Sequence, residues 1–487
     1  MYHAVDASMI RVSAFQLTPP PSSWPAICAD GSPDAAACRA WIESVWTDDA
    51  RAAAIELASP VLADSVRRVL TSGARPSRTI RTAAALMRYV LRMQYRATPF
   101  GLFAGPAPLR LGPTARVRLG TDHRAFASAD AEWLHDVITT LERDPHLLRH
   151  LQVIADPTCT VRGTRIDVPY QPGPDGPTET TLRRTRAAEK VLALAQTPAT
   201  VGDIVEKLHA EYPDAPLETI TAMVSDLIAH RVLLTSLHAP MTSEDALGHL
   251  LEQLDSACAT PLPPTVSTLR RLHESLVQHD DAAPAEQRAL RTQATAAMAE
   301  LSGMAGGGLA VNLRPDCDIV LPEAVTQEAA RALETIARIT PFPHGTSAWA
   351  DYRVRFLERY SMGKIVPLRD LTDPDTGLGF PVAYRGTVLK RPVLATTPRD
   401  EYLLTLAQNA ALDRRMEVEL TARDIEALTV DEPLQVPAHV ELCFMVLAET
   451  PRNLDQGDFE LSVAGLSLAA GTITGRFLST LDHRDRD

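Results

Sequence analysis

The chain has 487 residues, a formal net charge of −13 and a hydrophobic fraction of 45%. This length exceeds that of one ordinary domain, so two or three units are expected. The acidic balance argues against nonspecific coating of DNA, and no apolar stretch has the length of a transmembrane helix. The first residues lack the basic and apolar pattern of a secretion signal, so the cytoplasm is the expected compartment. Six scattered cysteines without a CxxC pair indicate neither a disulfide framework nor a zinc site, and no metal is expected.

The N-terminal region, residues 1–148, is predicted to form a first domain. Its periodicity predicts a strand, three helices and a further run of strands. These elements are expected over residues 8–18, 33–57, 60–72, 77–97 and 107–120. Asp130 then stands at the front of another helix, where a carboxylate accepts hydrogen bonds from free backbone N–H groups.

Residues 149–240 are predicted to form an embedded domain of short strands, three helices and a closing strand. This order is that of a winged helix-turn-helix. Its candidate recognition helix carries Glu218 and Asp226 against Arg231, so it is not expected to bind DNA in the major groove. A winged helix can instead present a sheet edge to an extended peptide. A purely structural role is the alternative.

Residues 241–487 form the third predicted region. Residues 243–302 have a helical pattern that is interrupted at residues 261–264, and an α+β segment follows. The glycine-rich stretch GMAGGG lacks the Lys-Ser/Thr pair of a phosphate-binding P-loop. The predicted fold class is therefore α+β, with mixed sheets, helices and the embedded winged helix.

Arginines are concentrated between Ser65 and Arg118. This segment contains eleven arginines and no Asp, Glu, Lys or His. On a helical wheel, four of them fall within a stripe of about 80°, and apolar residues lie on the opposite side. The stripe consists of Arg81, Arg88, Arg92 and Arg96. A solvated face is the ordinary explanation of such a stripe, but arginines without acidic neighbours favour planar anions such as phosphate or carboxylate. Several phosphates of a nucleic-acid backbone would suit several arginines in a row.

The stretch RYVLRMQYRATPFGLFAG, residues 88–105, resembles the N-terminal part of the lantibiotic (lanthipeptide) dehydratases. Four further stretches agree with that family in order and spacing: MIRVSAF, DAEWL, FLERYSMGKIVPLRDLTDPDTGLGFP and GTITGRF. The resemblance covers nearly the whole chain. It implies a glutamylation domain, which transfers glutamate from glutamyl-tRNA to Ser or Thr side chains of a ribosomal precursor peptide. It also implies that the winged helix recognises the leader region of that peptide.

The resemblance assigns roles to single residues of the arginine segment. Arg92, Arg96 and Thr98 match the essential Arg, Arg and Thr of the family. The two arginines are expected to hold the acceptor phosphates of the tRNA or to polarise its ester, and Thr98 is expected to orient one of them. Arg81 and Arg88 are expected to supply supporting charge for the tRNA.

Other matches lie outside this segment. Asp130 matches an essential acid of the family, and Arg476 matches the arginine of the GRF segment. Arg11 matches the arginine of the opening strand. One position departs from the pattern, because the chain has Asn312 where the strand of the family can carry an acid.

The implied function leaves alternatives open. No cofactor is expected apart from glutamyl-tRNA as a co-substrate. Family members are far longer, so glutamate elimination is expected from a separate partner protein. A related activity, in which aminoacyl-tRNA extends the C-terminus of a scaffold peptide, is the first alternative, and a noncatalytic partner that holds a leader peptide is the second. The tRNA isoacceptor, the precursor peptide and the formation of a homodimer stay open.

Overall fold

A computed structural model describes most of the chain. The described residues are 2–5, 8–15, 33–72, 74–171, 173, 176–257, 259, 261–303, 308–342, 345–384, 387–390, 396–429, 438–467, 471–472 and 475–481. The fold divides into two compact units. The large unit comprises Ala7–Leu109, Arg118–Asp318 and Phe477–Asp487, and the small unit comprises Met1–Asp6, Arg110–Val117 and Ile319–Arg476.

The large unit opens with a strand and a group of packed helices. They are β1 (Ser8–Ser13), α1 (Ala35–Trp46), α2 (Asp49–Ala58), α3 (Pro60–Ser72) and α4 (Pro76–Tyr95). The prediction of one helix over residues 33–57 is wrong. The helix breaks because the Asp48 carboxylate accepts hydrogen bonds from the N–H groups of Ala50 and Arg51, both at 3.1 Å, and so begins a new helix.

These helices bury a core of their own. Its members are apolar side chains that α1 to α4 turn towards one another, among them Ile42, Ile55, Val66, Val69, Leu86, Val90 and Met93. Each fully buried side chain of this size stabilises the fold by about 1.5–3 kcal/mol relative to an exposed one. Phe103, which is 1% exposed, belongs to the same core although it lies beyond the end of α4.

Three strands follow the helices: β2 (Ala104–Gly112), β3 (Arg116–Leu119) and β4 (Arg124–Ala129). Within the large unit, β1 pairs with β2 in antiparallel register, with Ser13 opposite Ala104 and Arg11 opposite Pro106. A close approach of the backbone occurs at Gly105, where a Cβ atom would lie 1.6 Å from the carbonyl oxygen of Leu313. Glycine is therefore required at this point.

Residues 131–235 contain two helices that precede the predicted winged-helix region, and then the elements of that region. The two helices are α5 (Ala131–Leu141) and α6 (Pro145–Leu148). The elements of the region are β5 (Gln152–Ala155), β6 (Thr160–Arg162), β7 (Arg165–Gln171), β8 (Thr178–Arg183), α7 (Arg186–Leu194), β9 (Ala199–Thr200), α8 (Val201–Glu211), α9 (Leu217–Ala229) and β10 (Leu233–Thr235). Strands β6, β7 and β8 form an antiparallel sheet in that order, and a second sheet has the order β10-β5-β9. The assignment of residues 149–240 as a winged helix stays a prediction.

Three long helices and a strand complete the large unit: α10 (Ala246–Ser256), α11 (Thr265–Asp281), α12 (Pro284–Leu301) and β11 (Leu309–Arg314). The helical pattern over residues 243–302 thus has a second break, before Pro284, in addition to the predicted one. Strand β11 pairs antiparallel with β4, which places Asn312 opposite Phe126.

The small unit combines helices with short sheets. Its elements are β12 (Cys317–Pro322), whose first two residues belong to the large unit, α13 (Glu323–Arg338), α14 (Ser347–Tyr360), α15 (Leu368–Thr372), α16 (Pro398–Leu412), α17 (Ala422–Leu428), β13 (Glu441–Leu447), α18 (Pro451–Gln456) and β14 (Glu460–Ser467). A closing 3₁₀ helix (Gly475–Thr480) begins in the small unit, and its residues from Phe477 on belong to the large unit. Val320 of β12 pairs parallel with Arg110 of β2, and β13 pairs antiparallel with β14. The predicted α+β class is confirmed. No helix in the described part of the chain is long and apolar enough to cross a membrane.

Candidate functional site

Helix α4 has an apolar back and an arginine front. Pro76 occupies its first turn, where the missing N–H costs no hydrogen bond. Leu86, Val90 and Met93 are at most 3% exposed and fix the back of the helix in the core. The opposite face carries the predicted stripe, in which Arg81 and Arg88 are exposed and Arg92 is half-buried. The sequence prediction of a two-sided helix is confirmed in this geometry.

The arginines of the stripe have no acidic partners within the described residues. No Asp or Glu there forms an ion pair with Arg81, Arg88, Arg92 or Arg96. Because like charges on one helix face repel each other, this arrangement is destabilising until an anion neutralises it. The stripe is therefore a candidate anion-binding site.

Other arginines of the same segment are neutralised by acidic residues that lie outside it. Arg67 forms ion pairs with Glu56 at 2.6 Å and with Asp64 at 2.8 Å. Arg118 donates to Asp316 at 2.8 Å, and this hydrogen bond holds the pKa of the Asp316 carboxyl below its usual value. The composition of the segment alone overstates its free positive charge, which is concentrated on α4.

Arg96 does not lie on the helical stripe. Helix α4 ends at Tyr95, two residues before the predicted end, and Arg96 is its C-cap with an extended backbone (φ −135°, ψ 104°). Its N–H still donates to the Arg92 carbonyl oxygen at 3.2 Å. The exposed Arg96 side chain therefore starts from the cap, beyond the helical face that carries Arg88 and Arg92.

The turn after α4 fixes the position of Arg92. The Arg92 guanidinium carbon lies 4.3 Å from the centroid of the Phe100 ring, which is a cation–π contact. Phe100 in turn meets Phe103 edge to face at 5.4 Å. The turn closes through hydrogen bonds between Phe100 and Ala104 and between Phe103 and Phe100, with Gly101 at φ +50°. The sequence TPFGLF is thus the support of one arginine of the stripe.

Ser13 is a supporting residue that the sequence analysis missed. Its hydroxyl donates to the carbonyl oxygen of Met93, near the end of α4, and lies 3.5 Å from the carbonyl oxygen of Phe103. The N–H of Ala14 donates to the same Phe103 oxygen at 2.9 Å. Strand β1 therefore holds the end of α4 and the turn together. The matching stretch MIRVSAF contains this serine, but a hydroxyl in a strand gives no sign of its distant partner.

Thr98 is exposed and forms no hydrogen bond with Arg92 or Arg96 in the described structure. The sequence-based expectation that it orients one of them has no contact to support it here. Arg11 is half-buried on β1, opposite Pro106. Arg476 lies in the small unit, in the closing 3₁₀ helix, and its side chain lies outside the described part.

Asp130 caps helix α5. One of its carboxylate oxygens accepts the N–H of Glu132 at 2.9 Å, as the sequence analysis allowed, and its own N–H donates to the Gly308 carbonyl oxygen at 2.8 Å. Asp130 is half-buried, and its second carboxylate oxygen has no hydrogen-bond partner among the described residues. No hydrogen bond or ion pair joins it to the arginine stripe in that part of the chain.

The chemistry that this site supports is anion binding. The three stripe residues within α4 present their guanidinium groups on one helix face, and that of Arg92 contacts the Phe100 ring. Fixed guanidinium groups bind phosphate or carboxylate and stabilise negative charge that develops on an oxygen. Within the described ranges, no three His, Cys, Asp or Glu side chains are grouped so that they could hold a metal ion.

The sequence and the fold define one class of protein. The sequence profile described as "Lantibiotic dehydratase, N terminus" matches residues 47–487, and the chain therefore belongs to the lantibiotic dehydratase family.

Among solved structures, the chain is similar to the tRNA-dependent lantibiotic dehydratase MibB from Microbispora sp. 107891. The two share 31% identity with a TM-score of 0.81, over 92% of this chain and 45% of the MibB chain. The glutamylation domain of TbtB, from thiomuracin biosynthesis, shares the fold at 17% identity and a TM-score of 0.52, over 89% of this chain and 54% of that chain.

Two curated relatives come from lantibiotic biosynthesis. The subtilin biosynthesis protein SpaB of Bacillus subtilis is 24% identical over 72% of this chain, and the epidermin biosynthesis protein EpiB of Staphylococcus epidermidis is 18% identical over 74%. The aligned part covers 33% of SpaB and 36% of EpiB, so the chain spans about a third of the length of these relatives.

Proposed function

We propose that this chain transfers glutamate from glutamyl-tRNA to Ser or Thr side chains of a ribosomal precursor peptide, with elimination supplied by another domain or protein. Membership of the lantibiotic dehydratase family and the similarity to MibB, a tRNA-dependent dehydratase, support this proposal. The observation that carries it is the arginine face of α4, which has no acidic partner among the described residues. A charged tRNA is a polyanion whose phosphates would neutralise these arginines, and it also carries the ester-linked amino acid.

In this proposal the arginines bind different parts of the tRNA. Arg81 and Arg88, both exposed, bind backbone phosphates, because each guanidinium offers donors that match a phosphate oxygen pair. Arg92 and Arg96, at the end of the helix, hold the acceptor end and face the ester. The contact of Arg92 with Phe100 reduces the side-chain entropy that binding would otherwise cost.

The transfer itself is an acyl exchange. The hydroxyl oxygen of the peptide attacks the ester carbonyl carbon, a new ester bond forms, and the bond to the ribose oxygen of the tRNA breaks. The proton of the hydroxyl passes to that ribose oxygen, so atoms and charges balance. A guanidinium close to the carbonyl oxygen stabilises the negative charge of the tetrahedral intermediate. We assign this role to Arg92 or Arg96.

Asp130 is assigned a positioning role towards glutamate or the incoming hydroxyl. The helix cap uses one of its oxygens, and the second oxygen remains available to an ammonium or hydroxyl group. Arg11, Thr98 and Arg476 are retained as candidate site residues on their match to the family motifs, with Arg11 on the tRNA side.

Residues 149–240 are proposed to recognise the leader region of the precursor. An extended peptide adds to a sheet through main-chain hydrogen bonds and therefore needs an open edge of several residues. In the sheet β6-β7-β8, the edge strand β8 offers six residues, Thr178–Arg183, against three in β6. The outer edge of β8 is thus the candidate docking strand.

The test is glutamate transfer with the full chain. The chain is incubated with its precursor peptide, tRNA charged with radiolabelled glutamate and any partner protein, and the product is examined by mass spectrometry. We expect one glutamyl group on a Ser or Thr side chain. Arg92→Ala and Arg96→Ala are expected to reduce transfer about 100-fold or more, as the loss of a charge-stabilising donor does.

Arg67→Ala is the matched control, because it removes the same charge from a residue that already has two acidic partners. It is expected to leave transfer unchanged. Equal transfer by Arg92→Ala, Arg96→Ala and the wild-type protein would refute the site. An amino acid joined to the C-terminus of a peptide would identify the ligase alternative. Binding of the leader without any transfer would identify a noncatalytic partner.

A further inference from the structure

The outward face of α4 carries two exposed apolar side chains among its arginines. Leu91 is 42% exposed and Tyr95 is 55% exposed. At about 100° per residue, Tyr95 lies about 20° from Arg88 and about 60° from Arg92 on the helical wheel. The apolar residues of an amphipathic helix usually lie on its buried back. Leu91 and Tyr95 therefore do not serve the core, and Tyr95 belongs to the arginine face.

The ring of Tyr95 has no partner among the described residues. Within that part of the chain it takes part in no ring pair and no cation–π contact, and its hydroxyl forms no hydrogen bond. Tyr89, on the same helix, shows what a structural tyrosine does here, because it is half-buried and meets Phe103 edge to face at 5.9 Å. Tyr89 thus helps to fix the turn after α4, whereas the surface of Tyr95 remains available to a ligand.

The backbone that carries Tyr95 is fixed. Tyr95 is the last residue of α4, and Met93, two residues before it, is 1% exposed. The hydroxyl of Ser13 donates to the Met93 carbonyl oxygen, and the N–H of Arg96 donates to the Arg92 carbonyl oxygen at 3.2 Å. A tyrosine has few side-chain torsions, so its ring offers a large contact area at a low entropic cost. Tyr95 is therefore a preorganised platform next to Arg92 and Arg96.

A tyrosine ring among guanidinium groups matches an unpaired nucleotide. Bases that are not paired can stack on an aromatic ring, while arginines bind the neighbouring phosphates. A double helix does not present a base face in this way, because its bases are stacked on one another. An isolated phosphate or carboxylate would leave the ring and Leu91 unused. The face therefore favours a single-stranded segment of a nucleic acid over a helical one.

We propose that Tyr95 stacks on an unpaired base at the acceptor end of the tRNA. The proposal rests on the proposed function, which assigns the acceptor end to Arg92 and Arg96, and adds the residue that contacts a base. All three residues lie on one short stretch of the large unit. Leu91 precedes Tyr95 by four residues, so its apolar side chain lies beside the ring and widens the platform. Because every base has a face that can stack, Tyr95 contributes affinity and not a choice between tRNAs.

The test measures how much the bases of the acceptor end contribute to binding. It uses the full chain and uncharged glutamate tRNA with fluorescein in its anticodon loop, either intact or with abasic nucleotides that keep the phosphates in place of its unpaired 3′ end. Binding is followed by fluorescence anisotropy. The wild-type protein is expected to bind the intact form roughly 5- to 100-fold more tightly, the range for one base stacked on an aromatic ring. Tyr95→Leu should remove most of this difference, and Tyr95→Phe, which keeps a ring, should retain most of it.

Two further measurements separate stacking from a structural role of Tyr95. Tyr95→Leu keeps an apolar neighbour for Leu91, so the free energy of unfolding should change little, and it removes no charge, so the salt dependence of tRNA binding should stay the same. Tyr170→Leu is the matched control, since Tyr170 is 54% exposed on β7, and it should leave the difference between the two tRNA forms unchanged. Equal binding of both forms by the wild-type protein, or an undiminished difference in Tyr95→Leu, would overturn the proposal.

Glutamate transfer keeps this proposal apart from the proposed function. Normal transfer without any contribution of the bases to binding would reject the role of Tyr95 alone. Base-dependent binding that Tyr95→Leu weakens, without any transfer of glutamate, would support the role of Tyr95 and reject the proposed function.

Discussion

Replacement of Phe100 with leucine removes the ring on which the Arg92 guanidinium rests and keeps an apolar side chain in the turn. In the native turn, the guanidinium carbon lies 4.3 Å from the ring centroid, and the ring also meets Phe103 at 5.4 Å. Phe100 is 38% exposed, so its cation–π contact belongs to the weaker class of such contacts. Phe100→Leu therefore changes the support of the arginine while the arginine itself remains.

Two contributions set the size of the effect. Loss of the cation–π contact at an exposed site costs about 0.5–1 kcal/mol, and loss of the edge-to-face pair costs about 0.5–1.5 kcal/mol. The free energy of unfolding should thus fall by about 1–2.5 kcal/mol. The freed Arg92 side chain must then be ordered on binding at a cost of about 0.5–1.5 kcal/mol, which weakens tRNA affinity about 2- to 10-fold.

Urea unfolding measures the first quantity, and fluorescence anisotropy with labelled tRNA measures the second. Phe100→Tyr keeps the ring and should remain close to the wild-type protein in both. If Phe100→Leu binds tRNA as tightly as the wild-type protein while Arg92→Ala does not, the ring does not position Arg92 and the reasoning fails.

Three further substitutions test other parts of the structure. Gly105→Ala should destabilise the fold by about 1–3 kcal/mol in urea unfolding, because its Cβ would lie 1.6 Å from the Leu313 carbonyl oxygen; wild-type stability would contradict this close approach. Asp130→Ala should lose about 1 kcal/mol with the helix cap, whereas Asp130→Asn keeps the cap, so a loss of glutamate transfer in Asp130→Asn separates a role in transfer from capping. Hydrogen bonds, first of all from the Thr421 hydroxyl, lower the pKa of Asp424 to about 2. The stability that Asp424 contributes is therefore present above about pH 4 and is lost as the pH falls towards 2; Asp424→Asn should remove this dependence in acid unfolding followed by circular dichroism, and an unchanged acid profile would count against it.

The sequence was sufficient for the local features of the site. Apolar residues at helical spacing predict the buried face of α4, and the absence of acids in the segment predicts the unpaired stripe. The helix end was predicted two residues too late. The pre-proline restriction acts on Thr98, but the chain already becomes extended at Arg96, where β1 and the turn hold the backbone.

Contacts between distant residues were beyond sequence reasoning. Arg118 is neutralised by Asp316, which lies 198 positions away, so no window of the sequence shows the pair. The contact between Trp349 and Tyr384 is a second example of a pair that no sequence window shows. Tyr, Phe and Trp make up only 5% of the chain, so its composition gives no sign of an aromatic cluster. Folding brings Trp349 and Tyr384 together across 35 positions, and that proximity has no periodic signature.

The salt dependence of tRNA binding tests the arginine face most directly. Each phosphate that an arginine neutralises contributes about 0.7–0.9 to the slope of log affinity against log salt concentration. The double variant Arg81→Ala/Arg88→Ala, which removes the two arginines proposed to bind backbone phosphates, should therefore lower the slope by about 1.4–1.8. Arg67→Ala, whose charge is already paired, should leave it unchanged. A double variant with the wild-type slope would show that the face does not bind the phosphates of tRNA.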